Sequence, residues 1–153
     1  MNPDPHWITY LAALLTPIVA VLGSVIAYWQ WRLARNKLKL DLFDRRLRVY
    51  EAALTLLASI MTSGKARDEE VRNFLVATRE AKWLLNDSIA EYLEKQLYHN
   101  AINLQTLDAE LEGVSAGAER SKTIYAQADI KKWLMQQYEV LDETFAPFLQ
   151  LSH

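Results

Sequence analysis

Histidines and paired acidic residues are the side chains of this sequence whose types and spacing suit them to chemistry. His99 lies in a helical stretch, whereas His6 and His153 lie near the ends of the sequence. A di-iron helical bundle requires Glu-x-x-His, but Gln96 occupies the position of that Glu. The His-Glu-x-x-His pattern of zinc proteases is absent as well. We therefore expect His99 to be an ordinary helix-surface residue and the protein to have no metal site.

Two acidic pairs, Glu91 with Glu94 and Glu110 with Glu112, have the residue type needed for general acid–base catalysis. Their neighbours are polar, which favours solvated helix faces. The chain has no Cys and only four Gly, and neither a glycine-rich phosphate loop nor a nucleophile elbow occurs in its sequence. The sequence therefore predicts no catalytic site and no cofactor, and we expect that the protein is not an enzyme.

The elements that position these residues begin with an uncharged run. Residues 7–31 contain no Asp, Glu, Lys or Arg, and the run begins and ends with Trp. A helix of about 20 apolar residues spans a bilayer core, and aromatic rings prefer its two interfaces. A cleaved signal peptide would have basic residues before the run and a small-residue cleavage site after it. The sequence instead predicts a retained transmembrane helix over 7–31.

A basic segment follows this run. Residues 32–48 contain seven Lys or Arg and two Asp, a net charge of +5, whereas residues 1–6 contain one Asp and no Lys or Arg. Basic residues beside a span stay in the cytoplasm, so residues 1–6 are predicted to be extracytoplasmic and residues 32–153 cytoplasmic. The basic residues nearest the span are predicted to contact the membrane surface: Arg32, Arg35, Lys37 and Lys39.

The chain beyond the span is predicted to be all-α. Gly and Pro are scarce there, and we find no alternating strand pattern. Helical periodicity predicts an antiparallel bundle of about four helices, at 32–62, 68–85, 88–112 and 119–146. Residues 49–153 carry ten basic and sixteen acidic side chains, a net charge of −6. An acidic body of this kind predicts no nucleic-acid partner.

Leucines recur every seven residues in the first predicted helix, with aromatic residues between them. This strip is interpreted either as the helix's contribution to its own bundle core or as a coiled-coil seam between protomers. Its members are Leu33, Leu40, Phe43, Leu47, Tyr50, Leu54, Leu57 and Met61. A second apolar strip, which leaves room for both kinds of packing, consists of Leu38, Leu42, Val49 and Leu56.

Small residues form a stripe at helical spacing inside the predicted span: Ala13, Thr16, Ala20, Gly23 and Ala27. Such a stripe lets two helix backbones approach closely, which drives association in lipid. Alternatively, small residues are simply common in membrane helices. Pro17 removes one backbone hydrogen bond and is expected to kink the helix.

The segment Phe43–Glu51 reads Phe-Asp-Arg-Arg-Leu-Arg-Val-Tyr-Glu. It resembles a motif, Phe-Asp-Arg/Lys-Arg-x-x-Val-Tyr-Glu, of small uncharacterised bacterial single-pass membrane proteins. The resemblance continues at Glu80–Leu85, Glu91–Leu93, Trp133 and Leu141–Leu149. The resemblance implies a bacterial origin and the architecture of a single-pass membrane protein, but no activity.

The spacing within this motif predicts an ion pair between Asp44 and Arg48. It leaves Arg45 and Arg46 available for lipid phosphates or for acids on another helix.

These observations predict a membrane-anchored interaction or assembly protein. Its partners would be the lipid bilayer and either copies of itself or another membrane-associated protein. The alternative is an oligomeric, membrane-perturbing or channel-forming effector that its cytoplasmic bundle regulates.

Overall fold

The computed structural model describes residues 6–113 and 117–150, apart from the side chains of residues 6–9, 11–14 and 16. Within the described residues, helices and short connections account for the whole structure and no strand occurs. The prediction of an all-α helical bundle is confirmed. The chain divides after Asp41 into two compact units.

The helices follow the predicted segments with some changes in their bounds. They are α1 (His6–Ser63), α2 (Asp68–Thr78), α3 (Ala81–Leu84), α4 (Asp87–Glu91), a π-helical segment (Tyr92–Tyr98), α5 (His99–Gly113) and α6 (Ala118–Phe145). The π-helical segment joins α4 and α5 without a break, so four helical rods result: α1, α2 with α3, α4 to α5, and α6.

In the first unit, every described side chain of residues 17–41 is exposed. These include large apolar side chains such as Ile18, Val21 and Val25. Among the described residues, no helix is both long enough and apolar enough to cross a membrane. The transmembrane helix at 7–31 therefore remains a prediction from the sequence. Residues 1–5 of the predicted extracytoplasmic segment lie outside the described residues.

In the second unit, neighbouring rods run in opposite directions. Asp68 contacts Gln105, and the later part of α2 faces Leu93, so α2 and the α4–α5 rod are antiparallel. The α4–α5 rod and α6 are antiparallel as well. Tyr92, early in the rod, bonds Gln137 late in α6, whereas Asp108, late in the rod, bonds Gln127 early in α6. The result is an up-down helical bundle.

The core face of α1 coincides with only part of the leucine heptad strip. Its fully buried α1 side chains are Val49, Ala53, Leu56, Leu57 and Ile60. They pack with side chains from the other rods: Phe74, Ile89, Leu93, Leu97, Leu104, Leu134, Leu141 and Phe145. A helix that contacts several others buries a face wider than a heptad strip with two positions per repeat. This explains why the buried face of α1 includes residues outside the strip.

Gly64 is the first glycine after Gly23, and because glycine commonly follows the last residue of a helix the sequence predicts that α1 ends there, as it does. Its N–H donates to the Ile60 carbonyl at 2.8 Å, and its φ of 73° lies in the left-handed region that favours glycine. The chain then turns into α2, which brings the second rod back along the first.

The second predicted helix, 68–85, is interrupted at Arg79 and Glu80. The Glu80 carbonyl accepts hydrogen bonds from the N–H groups of Trp83 and Leu84, which close a new short helix. The Thr78 hydroxyl bonds back to the Phe74 carbonyl, and such local bonds compete with continued helix.

The third predicted helix also differs in detail. The spacing of Ser88 and Glu91 predicts a capping box that opens this helix at Ser88. That prediction is wrong, because the N-cap is Asn86, whose side chain accepts a hydrogen bond from the Ile89 N–H at 2.8 Å. The π-helical segment was not predicted.

Candidate interaction face

The residues predicted to contact the membrane surface lie exposed along α1. Arg32, Arg35, Lys37 and Lys39 are all solvent-accessible. The Arg35 guanidinium lies 5.6 Å from the centre of the Trp31 ring. This places a cation beside an aromatic ring at the end of the uncharged run, an arrangement compatible with a headgroup layer.

The small-residue stripe is open where it is described. Ala20, Gly23 and Ala27 are exposed, and a Cβ added at Gly23 would meet no other atom within 4 Å. The side chains of Ala13 and Thr16 lie outside the described ones. Close approach of a second helix at this stripe therefore remains a prediction.

The heptad strip runs from exposed to buried positions along α1. Leu33 and Leu40 are 72% and 51% exposed. The later members Phe43, Leu47, Tyr50, Leu54 and Met61 are half-buried, and Leu57 is fully buried. In the second strip Leu38 and Leu42 are exposed, whereas Val49 and Leu56 belong to the core.

Arg46 binds the ends of two other chain segments. Its Nε donates to the Leu84 carbonyl at 2.8 Å and its Nη1 to the Phe148 carbonyl at 3.4 Å. Its guanidinium also lies 5.7 Å from the Phe148 ring centre. Arg46 therefore contacts carbonyls within the bundle rather than lipid or another helix's acids.

The two neighbouring arginines have different environments. Arg45 lies 3.6 Å from the carboxylate of Glu80. Of the two partners that the sequence left open for Arg45, lipid phosphates or acids on another helix, this contact is of the second kind. No guanidinium nitrogen of Arg48 lies within 4.0 Å of an Asp44 carboxylate oxygen, so the predicted ion pair is wrong. Arg48 instead lines a surface groove.

Tyr50 connects α1 to α6. Its hydroxyl donates to Asp142 at 2.5 Å, and its ring centre lies 5.5 Å from that of Phe145. The hydrogen bond to the carboxylate, then burial and the charge of Asp142, raise the pKa of the Tyr50 phenol above its usual value. Segments 43–51, 80–85 and 141–149 thus contact one another through Arg45, Arg46 and Tyr50.

A buried polar link lies deeper in the bundle. The Tyr92 hydroxyl donates to Gln137 Oε1 at 2.9 Å, and Gln137 Nε2 donates to the Trp133 carbonyl at 3.1 Å. Burial raises the pKa of Tyr92 well above its usual value. Because both partners are buried and hydrogen-bonded, the link fixes the π-helical segment against α6.

The acidic pairs and His99 lie on the surface. Glu91 accepts a hydrogen bond from Lys95 at 2.5 Å, and this bond lowers the pKa of the Glu91 carboxyl. Glu94, Glu110 and Glu112 are exposed, as is His99. Across residues 6–113 and 117–150, no cluster of three His, Cys, Asp or Glu side chains is arranged to hold a metal ion.

An apolar groove opens between α2, α3 and the π-helical segment. Its volume is about 520 Å³. Its floor includes Phe74 and Leu93 of the core, and its outer wall includes exposed Leu75, Val76 and Trp83. Trp83 is 83% exposed and Val76 68% exposed.

A second groove of about 390 Å³ adjoins the first and is rich in arginine. Arg45, Arg48 and Arg79 line it, together with Glu80 and several apolar side chains. Val76 and Arg79 line both grooves, so these two residues form the wall that the grooves share. Exposed Glu94 lines the first groove, as exposed Glu80 lines the second. We call six of the exposed residues along the two grooves the interaction face: Arg48, Leu75, Val76, Arg79, Lys82 and Trp83.

The sequence did not indicate the interaction face, but it holds one usable signal for the π-helical segment. Ile89, Leu93, Leu97 and Ala101 are buried at every fourth position. In a regular α-helix, each four-residue step rotates the side chain by about 40° beyond a full turn, so the stripe would leave the core. A π turn holds more residues per turn and keeps the stripe inward.

No protein-family model, curated protein or solved structure matches this chain.

Proposed function

We propose that this chain is a membrane-anchored helical protein that binds another membrane-associated protein through the interaction face of its bundle. The observation that carries the proposal is the exposed Trp83 beside Val76 at the apolar groove. Contiguous exposed apolar side chains mark protein interaction sites, and Trp and Arg are enriched among the residues that dominate binding energy.

The membrane anchor is proposed from the sequence of residues 7–31, part of which lies outside the described side chains. The uncharged run, its flanking Trp residues and the basic segment after it support an inner-membrane protein with a cytoplasmic bundle. A reporter fused after His153 tests this orientation. Activity of a cytoplasm-only reporter supports it, whereas activity of a periplasm-only reporter contradicts it.

Binding is tested by affinity capture of the tagged full chain from solubilised native membranes, with quantitative mass spectrometry. We expect at least one protein to be enriched with the parent chain and lost with Trp83→Ala. Tyr125→Ala is the matched control, because Tyr125 is an exposed aromatic residue of α6. If no captured protein depends on Trp83, the proposal is wrong.

The purified chain in liposomes separates this proposal from the channel-forming alternative. A passive anchor leaves an entrapped dye inside the vesicles. Release of the dye at a rate that rises steeply with protein density would favour an oligomeric pore instead.

A further inference from the structure

We infer that the partner segment is an amphipathic helix with an apolar stripe and with Asp or Glu residues along one flank. The stripe occupies the apolar groove, and the acidic flank lies against Arg48 and Arg79. This inference rests on the proposed function and specifies the chemistry of the partner at the same face.

The charge of the arginine groove is the first step. Arg45 is engaged by Glu80 at 3.6 Å. Neither Arg48 nor Arg79 has a carboxylate within 4.0 Å among the described residues. Both are exposed. Two cations without acidic partners in one groove form a site for carboxylates, which a guanidinium binds with two parallel hydrogen bonds.

The wall shared by the two grooves is the second step. Arg79 and Val76 line both grooves, so a ligand that lies across this wall meets apolar side chains on one side and arginines on the adjacent side. An amphipathic helix presents such neighbouring stripes, and binding of a helix in a groove is a common mode of recognition.

The charge of the rest of the bundle is the third step, and it favours a protein segment over lipid or nucleic acid. Residues 49–153 have a net charge of −6, so an extended polyanionic surface is repelled by this part of the bundle, whereas the +5 of residues 32–48 ends at Arg48. A single helix with a few carboxylates needs only the local positive potential of Arg48 and Arg79.

The test uses the full chain in its native membranes with a photo-crosslinking amino acid at Val76. The same amino acid at Tyr125 reports background, because Tyr125 is exposed on α6 and lines neither groove. The chain is compared with Arg48→Glu/Arg79→Glu and with Arg72→Glu/Lys122→Glu. The second pair makes the same charge change at exposed sites outside both grooves.

We expect the Val76 crosslink to map to a helical segment of another protein that carries Asp or Glu beside apolar residues. Reversal at Arg48 and Arg79 should lower its yield about tenfold, since two attractions become repulsions. The control pair should leave the yield unchanged, and Lys in place of the mapped acids should restore crosslinking to the reversed chain. Unfolding curves of both double variants establish that the bundle is intact.

Other results overturn the inference in distinguishable ways. A Val76 crosslink that is insensitive to reversal at Arg48 and Arg79 contradicts the acidic flank but leaves the proposed function standing. Adducts with lipid alone, or with a second copy of this chain, replace the partner that we infer. Absence of any Val76 adduct above the Tyr125 background contradicts the proposed function itself.

Discussion

Replacement of Arg46 by Met should destabilise the bundle, whereas the same replacement at Arg45 should not. Met retains much of the aliphatic stem and removes the guanidinium. At position 46 the change removes the bonds to the Leu84 and Phe148 carbonyls, which lie 38 and 102 residues away in sequence. At position 45 it removes only the contact with Glu80, in which both side chains are more than half exposed.

The magnitudes follow from these contacts. A hydrogen bond from a charged donor contributes about 1.5–3 kcal/mol, and an exposed cation–π contact about 0.5–1 kcal/mol. The 3.4 Å bond to Phe148 is long, so we expect Arg46→Met to lower the free energy of unfolding by about 2–3 kcal/mol. An exposed ion pair contributes about 0–1 kcal/mol, which bounds the effect of Arg45→Met.

The assay is urea unfolding of the full chain in mild detergent, followed by circular dichroism at the helix band. With a typical urea dependence for a small domain, the Arg46→Met midpoint should fall by roughly 1–2 M. Arg45→Met should remain close to the parent. Equal shifts for the two variants would refute the reasoning, because the adjacent arginines would then contribute alike.

Three further predictions test the core, the buried phenol and the span. Leu57→Ala should cost about 2–5 kcal/mol and Leu33→Ala no more than about 0.5 kcal/mol in urea unfolding, because only Leu57 is fully buried. Burial raises the pKa of Tyr92 above its unfolded value of 10.0, so the neutral phenol stabilises the fold below pH 10.0 and this stabilisation is lost as the pH rises towards the pKa of the folded state. Tyr92→Phe cannot ionise, so its stability, followed by circular dichroism, should fall less steeply at alkaline pH than that of the parent. Ala20→Leu with Gly23→Leu should reduce cross-linking between copies in membranes, and unchanged cross-linking would make the span only an anchor.

The helical class and most helix limits could be read from the sequence because their causes are local. Gly64 ends α1 where the pattern of apolar residues stops, whereas the third rod is capped by Asn86 and not by Ser88, two residues later. The core register could not be read in the same way. Ala53 is fully buried, but a small residue gives little signal in an apolar pattern. The leucine heptads continue through positions such as Leu33, where the structure offers no packing partner.

The role of Arg46 lay beyond sequence reasoning for another reason. Its partners are backbone carbonyls, which every residue possesses, so no residue type marks them in advance. The sequence left lipid phosphates or an acid on another helix as partners of Arg45, and it did not identify Glu80, which lies 3.6 Å away. The pair that the sequence did specify, Asp44 with Arg48, is wrong, so side-chain pairs also require the fold.

The segment from Glu80 to Leu85 separates structural from functional roles. Ala81 is in the core, the Glu80 carboxylate contacts Arg45, and the Leu84 carbonyl accepts from Arg46. Trp83, between them, leaves most of its ring in water and forgoes roughly 1.5–3 kcal/mol of burial energy. A polar side chain would serve the fold there equally well. Trp83→Ala should consequently leave the urea midpoint unchanged while it removes the captured partner, and a large loss of stability would mean that the indole serves packing instead.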